Sequence, residues 1–152
     1  AVISKRCSYG TLSIKMPRSA AMCMKCRRNI APASSASHWQ NGIQLLGYTI
    51  DESSQQIELV WQTEETLQTS LRLFVQVFDG DDLVAVSDGV PVDFTRPTTG
   101  WSISEYIVTT HRFDLAAGDY MLHIGWYDPL TNQRVMLEND SDTLILDDFR
   151  LP

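Results

Sequence analysis

The sequence predicts an all-β domain, an immunoglobulin-like antiparallel sandwich of about seven or eight strands. Three observations lead there. Short runs of alternating apolar and polar residues recur between clusters of turn-forming residues. The run Leu115-Ala116-Ala117-Gly118-Asp119-Tyr120 looks like the corner at which such a sandwich passes from one sheet to the other, with Tyr120 bonding back to the chain just upstream. Finally, no stretch carries a persuasive helical period.

The organising strand covers residues 120–127. Tyr120, Leu122, Ile124 and Trp126 lie on one face and Met121, His123, Gly125 and Tyr127 on the other. Gly118 is read as a turn residue that accepts positive φ. Asp128 and Pro129 open a turn, and residues 134–137 are expected to return as a strand. Upstream, residues 43–50 form a first strand with Leu46, Tyr48 and Ile50 inward. Residues 56–63 form a second, with Ile57, Leu59 and Trp61 inward and Trp61 as the central core residue. Residues 70–78 carry apolar groups on both faces, Leu71, Leu73, Val75 and Val77 against Phe74 and Phe78, as a central strand covered on both sides would. Asp79-Gly80-Asp81 makes a hairpin turn to residues 82–87. A long connection over 88–105 has brief strand potential near Val90 to Phe94, and strands at 106–113 and 143–150 complete the count.

Charge divides the chain. All 19 acidic residues lie from Asp51 onward, where they face five Arg and no Lys, a net of −14, while the other seven basic residues lie within 1–38. So acidic a body repels phosphate backbones and anionic bilayers, which argues against nucleic acid as a partner. No run of about 18 apolar residues is present to span a membrane. Residues 1–38, basic, free of acid and without apolar period, are expected to be a disordered tail, with residues 39–152 forming the sandwich. In composition the tail also resembles an organelle transit peptide.

Ordered motifs in the body carry a family resemblance. They are Leu46-x-Tyr48, Leu59-x-Trp61-Gln62, Val75-x-Val77-Phe78-Asp79, Arg96-Pro97-Thr98-x-x-Trp101 and Gly118-x-Tyr120-x-Leu122-x-x-Gly125-x-Tyr127-Asp128-Pro129. Over residues 43–150 the chain resembles the extracytoplasmic β-sandwich domain of bacterial membrane glycosyltransferases of the dolichyl-phosphate-mannose protein mannosyltransferase-like group. In that group glycosyl transfer belongs to the membrane part, which an apolar final helix would join to the sandwich; the basic tail here departs from that pattern. The resemblance therefore implies a non-catalytic accessory or interaction domain on the outer side of the membrane. Its expected partners are a glycan or the membrane part of a parent protein, and it implies no catalytic residue and no cofactor.

Candidate sites are few. Trp101, with Thr98 and Thr99 in the long loop, is the candidate sugar platform, against the alternative that its ring plugs the end of the sandwich. That pair of readings separates the interaction domain from a free-standing carbohydrate-binding module. Cys7, Cys23, Cys26 and His38 contain one C-x-x-C but no second pair, too little for a zinc site or a redox motif. Asp79, Asp81 and Asp82 around Gly80, and Asp147 and Asp148 near the end, do not follow a calcium-loop spacing. His111 and His123 have no third partner at metal spacing. A hydrolase working through a carboxylate pair is the third reading, with no pair identified in the sequence.

Overall fold

The computed structural model describes residues 31–152. Its strands are β1 (Ala31–His38), β2 (Ile43–Asp51), β3 (Gln56–Thr63), β4 (Arg72–Asp79), β5 (Asp82–Gly89), β6 (Ile107–Arg112), β7 (Gly118–Tyr127) and β8 (Leu144–Leu151). They make two four-stranded antiparallel sheets, β1-β2-β3-β6 and β5-β4-β7-β8, packed face to face as the expected sandwich. Cys7, Cys23 and Cys26, and the thiolate site considered for them, lie outside the described residues.

The inward faces follow the predicted alternation in β3, β4 and β7. Ile57, Leu59 and Trp61 meet Leu73, Val75 and Val77, and Leu122, Ile124 and Trp126 complete the layer, all of them buried. In β2 the alternation breaks. Leu45 pairs with Trp61 and Gly47 with Val60, so Leu46 is an extra residue bulged from the ladder. Ile43 and Leu45 are therefore the core residues before the bulge and Tyr48 the one after it, which corrects the inward assignment of Leu46.

Two strands differ from expectation. The first lies upstream of Trp39, where no apolar period announces it: β1 runs along the edge of its sheet and among the described residues pairs only with β2, Ala31 opposite Tyr48 and His38 opposite Gln44. An edge strand of this kind is held by backbone pairing and tolerates Pro32. Conversely, the expected strand at 134–137 makes only isolated bridges, Arg134 with Tyr127 and Leu137 with Trp39. It crosses from one sheet to the other instead of joining either. The 3-10 turn Thr98–Gly100 is the sole helical element among the described residues.

The connections β1–β2, β3–β4, β5–β6 and β7–β8 gather at one pole and the other three at the opposite pole. The second pole holds the corner. Tyr120 donates its hydroxyl to the Ala116 carbonyl at 2.9 Å, which is the bond its position predicts. Gly118 serves the corner differently from the expectation: its φ is not positive, and a Cβ there would lie 3.3 Å from the Tyr120 ring. Close approach, rather than backbone handedness, is the requirement.

Gly125 answers a tighter one. It lies on the outer face of β7 opposite Phe74, and a Cβ would come within 2.4 Å of the Phe74 ring. That space lets Phe74, on the outer face of β4, be buried there, with the Arg134 guanidinium 4.6 Å above its ring. Gly125→Ala should destabilise the fold by about 1–3 kcal/mol, the usual cost of overpacking. Urea unfolding would measure it, and the cost should shrink in a Phe74→Leu background, where the ring no longer occupies the space.

Candidate functional site

The loop pole, where the sequence places the candidate ligand site, is closed by aromatic packing. All four tryptophans of the chain meet there in a line: Trp39 to Trp61 at 5.5 Å, Trp61 to Trp126 at 4.9 Å, Trp126 to Trp101 at 5.6 Å between ring centroids. The last two contacts are edge-to-face, the favourable arrangement for rings with a negative face and a positive rim. Trp101 is 4% exposed, and its indole N–H donates to the Arg96 carbonyl at 3.2 Å. It presents no ring face to a sugar.

Thr98 is buried too, as a clip between loops. Its hydroxyl donates to the Thr69 carbonyl at 2.7 Å and accepts from the Leu71 amide at 3.0 Å, fastening the β5–β6 connection to the β3–β4 connection. Only Thr99 of the three candidate ligand residues is exposed. Around them Arg96 pairs with Glu105 at 2.7 Å, and the Ser102 amide donates to the second Glu105 oxygen at 3.0 Å. The Ser102 amide, then Arg96, holds the Glu105 carboxyl below its ordinary range. These bonds brace the loop around the plug.

Of the other singled-out residues, Trp61 and Trp126 are fully buried, and Asp128 caps its turn by accepting from the Leu130 amide at 2.8 Å, with Pro129 exposed beside it. Asp79, Asp81 and Asp82 are exposed around the β4–β5 hairpin, whose Gly80 takes φ 58°. Among the described residues no group of three or more His, Cys, Asp or Glu side chains is arranged to hold a metal ion.

A polar chain between the sheets was missed by sequence reasoning. Trp61 Nε1 donates to Thr109 Oγ1 at 3.0 Å, that hydroxyl lies 3.0 Å from His111 Nε2, and His111 Nδ1 lies 2.9 Å from Ser87 Oγ. Trp61 and His111 belong to the first sheet and Ser87 to the second, so the imidazole pins one sheet to the other. Its only sequence signal is that His111 and Thr109 share the inward parity of β6. Beside it a cleft of about 60 Å³, lined in part by Ser87, Asp93, Phe94 and His111, is far below the roughly 300–1,000 Å³ of a small-molecule site. The cleft's rim holds three successive left-handed residues, Val92, Asp93 and Phe94, with φ of 55°, 50° and 65°, where the sequence suggests brief strand potential. The Phe94 amide donates to the Val90 carbonyl and the Arg96 amide to the Pro91 carbonyl, both at 3.1 Å, so the chain turns tightly there.

The outer face of the β5-β4-β7-β8 sheet has two unlike halves. Toward the loop pole Phe74 is roofed by Arg134, itself tied to Asp142 at 3.3 Å. Toward the corner pole the apolar groups are more open, Leu83, Val86 and Ile145 exposed and Phe78, Met121 and His123 half-buried. Leu83 pairs across to Phe78, which pairs to Met121; one step along, Val86, Gln76, His123 and Ile145 stand in a row. Phe78 and His123 stack at 4.4 Å, binding the two rows into one patch. Leu83, Val86 and Ile145 are 52%, 55% and 55% exposed.

Comparison of the chain with protein-family models, with curated proteins and with solved structures finds no match.

Two outcomes follow from this geometry. Trp101→Ala should cost about 3–5 kcal/mol of stability, the range for removing a buried large aromatic, measured by urea denaturation. Burial also pushes the His111 imidazole down to about 4, with the Asp93 charge opposing the shift. The unfolded chain then binds the extra proton between pH 6.5 and 4, so this stabilisation is complete above about 6.5 and is lost as pH falls toward 4. Between pH 7 and 4.5 the loss should be about 2–3 kcal/mol, and His111→Gln should remove that part of the pH dependence.

Proposed function

We propose that this chain is a non-catalytic interaction domain that meets a protein partner through the open half of the β5-β4-β7-β8 sheet. The observation that carries the reading is the patch formed by Leu83, Phe78, Met121, His123, Val86 and Ile145. A contiguous apolar surface with a polar rim is what a partner covers in soluble proteins. The rim is here: Asp79, Asp81 and Asp82 at one end, with Asp119 and Asp147 near the β7–β8 side. The same sheet hides Phe74 under Arg134, so covering outer-face aromatics is within this fold's means, and the corner half is left for something else.

We place the domain on the outer side of a bacterial membrane, as an accessory part of a glycosyltransferase-like protein. The support is the ordered motif set from Leu46 to Pro129, together with an acidic body that does not adhere to anionic surfaces by charge. A second reading, a carbohydrate-binding module, is favoured by Phe94 and Tyr106, aromatics 67% and 51% exposed near the two ends of the β5–β6 connection. Trp101 no longer supports that reading.

Photo-crosslinking in the cells that make the protein separates these. A benzophenone side chain at Val86 should yield a discrete protein adduct, and one at Glu58, on the outer face of the other sheet, should not. Equal adducts from both positions, or none from Val86, would sink the proposal. Saturable shifts of amides near Phe94 and Tyr106 in an oligosaccharide titration would favour the sugar reading.

A further inference from the structure

We infer that β5 is a docking edge that accepts an added strand from a basic protein partner, an extended segment apolar in its middle and carrying Lys or Arg at both ends. This rests on the interaction role assigned above and names its mode and partner chemistry. Among the described residues β5 ends its sheet and pairs only with β4, so one row of its backbone amides and carbonyls faces away from any described strand. Such a row is a template for another chain. Edges are ordinarily blunted with Lys or Pro, and Asp82-Leu-Val-Ala-Val-Ser-Asp-Gly89 holds neither. Its one irregularity is a bulge, where Val77 pairs with Ala85 and Phe78 with Leu83, leaving Val84 over. That residue is 44% exposed, adding an apolar group beside Leu83 and Val86.

Charge selects the partner. From Leu73 to Thr95 the chain has no basic residue, while Asp79, Asp81 and Asp82 stand at one end of β5 and Asp88 and Asp93 at the other. A second copy of this chain, laid antiparallel about Ala85, would set Asp82 against Asp88 twice. Like charges directly opposite are destabilising, and the net charge of the two bodies adds to the repulsion. A strand with basic ends meets the same carboxylates favourably, and its central apolar residues continue the patch of Leu83, Val86 and Phe78. The added strand would lengthen the sheet to five strands, giving the order partner-β5-β4-β7-β8.

The test is a titration of the full 152-residue chain, observed by amide NMR and hydrogen exchange, with three synthetic peptides. One alternates Val and Thr between pairs of Lys, the second has the same core between pairs of Glu, and the third is the Lys-ended peptide with a central Pro. The first should shift the amides of residues 82–89 and slow their exchange, the other two should bind at least tenfold more weakly, and Val86→Lys should weaken the first by a similar factor. Equal binding of the Glu-ended peptide would overturn the charge argument. Shifts confined to Phe78, Met121 and Ile145 without slowed exchange in β5 would overturn strand addition and leave the interaction face standing. Absence of any shift, self-association in sedimentation, or β5 amides already protected by the chain's own basic residues before peptide is added would overturn the proposal. Crosslinking from Val86 reads the interaction role independently, so a positive crosslink beside a failed titration condemns the strand mode alone.

Discussion

Trp61 is the point on which the sandwich turns. Its ring stands between Trp39 and Trp126, joining the β1–β2 turn to β7, and its indole N–H begins the polar chain that ends on Ser87 of β5. One side chain thus packs against both sheets and, through Thr109 and His111, starts a hydrogen-bonded path from the first sheet to the second. With aromatic rings burying about 150–250 Å² each, the line of four fills the loop pole with hydrophobic contact. The connections lie over this line and are fastened to it: Thr98 between two loops, Trp101 at the end, Leu137 bridged to Trp39.

That arrangement bears on where the proposed recognition would take place. In many sandwiches the loops at one pole vary and bind while the sheets stay rigid. Here the longest loop is committed to closing the core, and its carboxylate Glu105 is committed to Arg96 and the Ser102 amide. Beside the Phe94, Ile103 and Tyr106 side chains that this loop leaves exposed, apolar surface remains on the sheet, at the half that the β7–β8 connection does not reach. A sheet face and its edge are flat and extended, suited to another polypeptide more than to a small molecule held in a pocket.

Much of this was legible in the chain, for a reason visible in the residues. Where a strand is regular, as in Tyr120 to Trp126 or Ile57 to Trp61, burial follows parity and the sequence displays it directly. Parity fails at a bulge, so it points Leu46 inward although Leu45 takes that position. It is silent for an edge strand held by its backbone, as β1 is. The left-handed course of Val92, Asp93 and Phe94 was hidden because none of them is glycine and Val92 is β-branched, a residue that rarely accepts positive φ. Gly118 and Gly125 stand in the motif set, but the space each provides is set by the ring of Tyr120 or Phe74, a relation across the fold and not along the chain. The patch is legible only as outward parity; that Leu83, Val86 and Ile145 stay exposed is a matter of the path of the later connections.

The ends of the described chain add a mechanical property. Ala31 pairs with Tyr48 and Leu151 with Gly118, which puts the start of β1 and the end of β8 at the corner pole, in different sheets. Tension applied between residues 31 and 152 would pull on each terminal strand from its end, parting its ladder one rung at a time. Strands loaded in that peeling geometry yield at lower force than strands sheared along their length. The sandwich, strongly bound at the tryptophan pole, would open under load from the pole that carries its tyrosine corner.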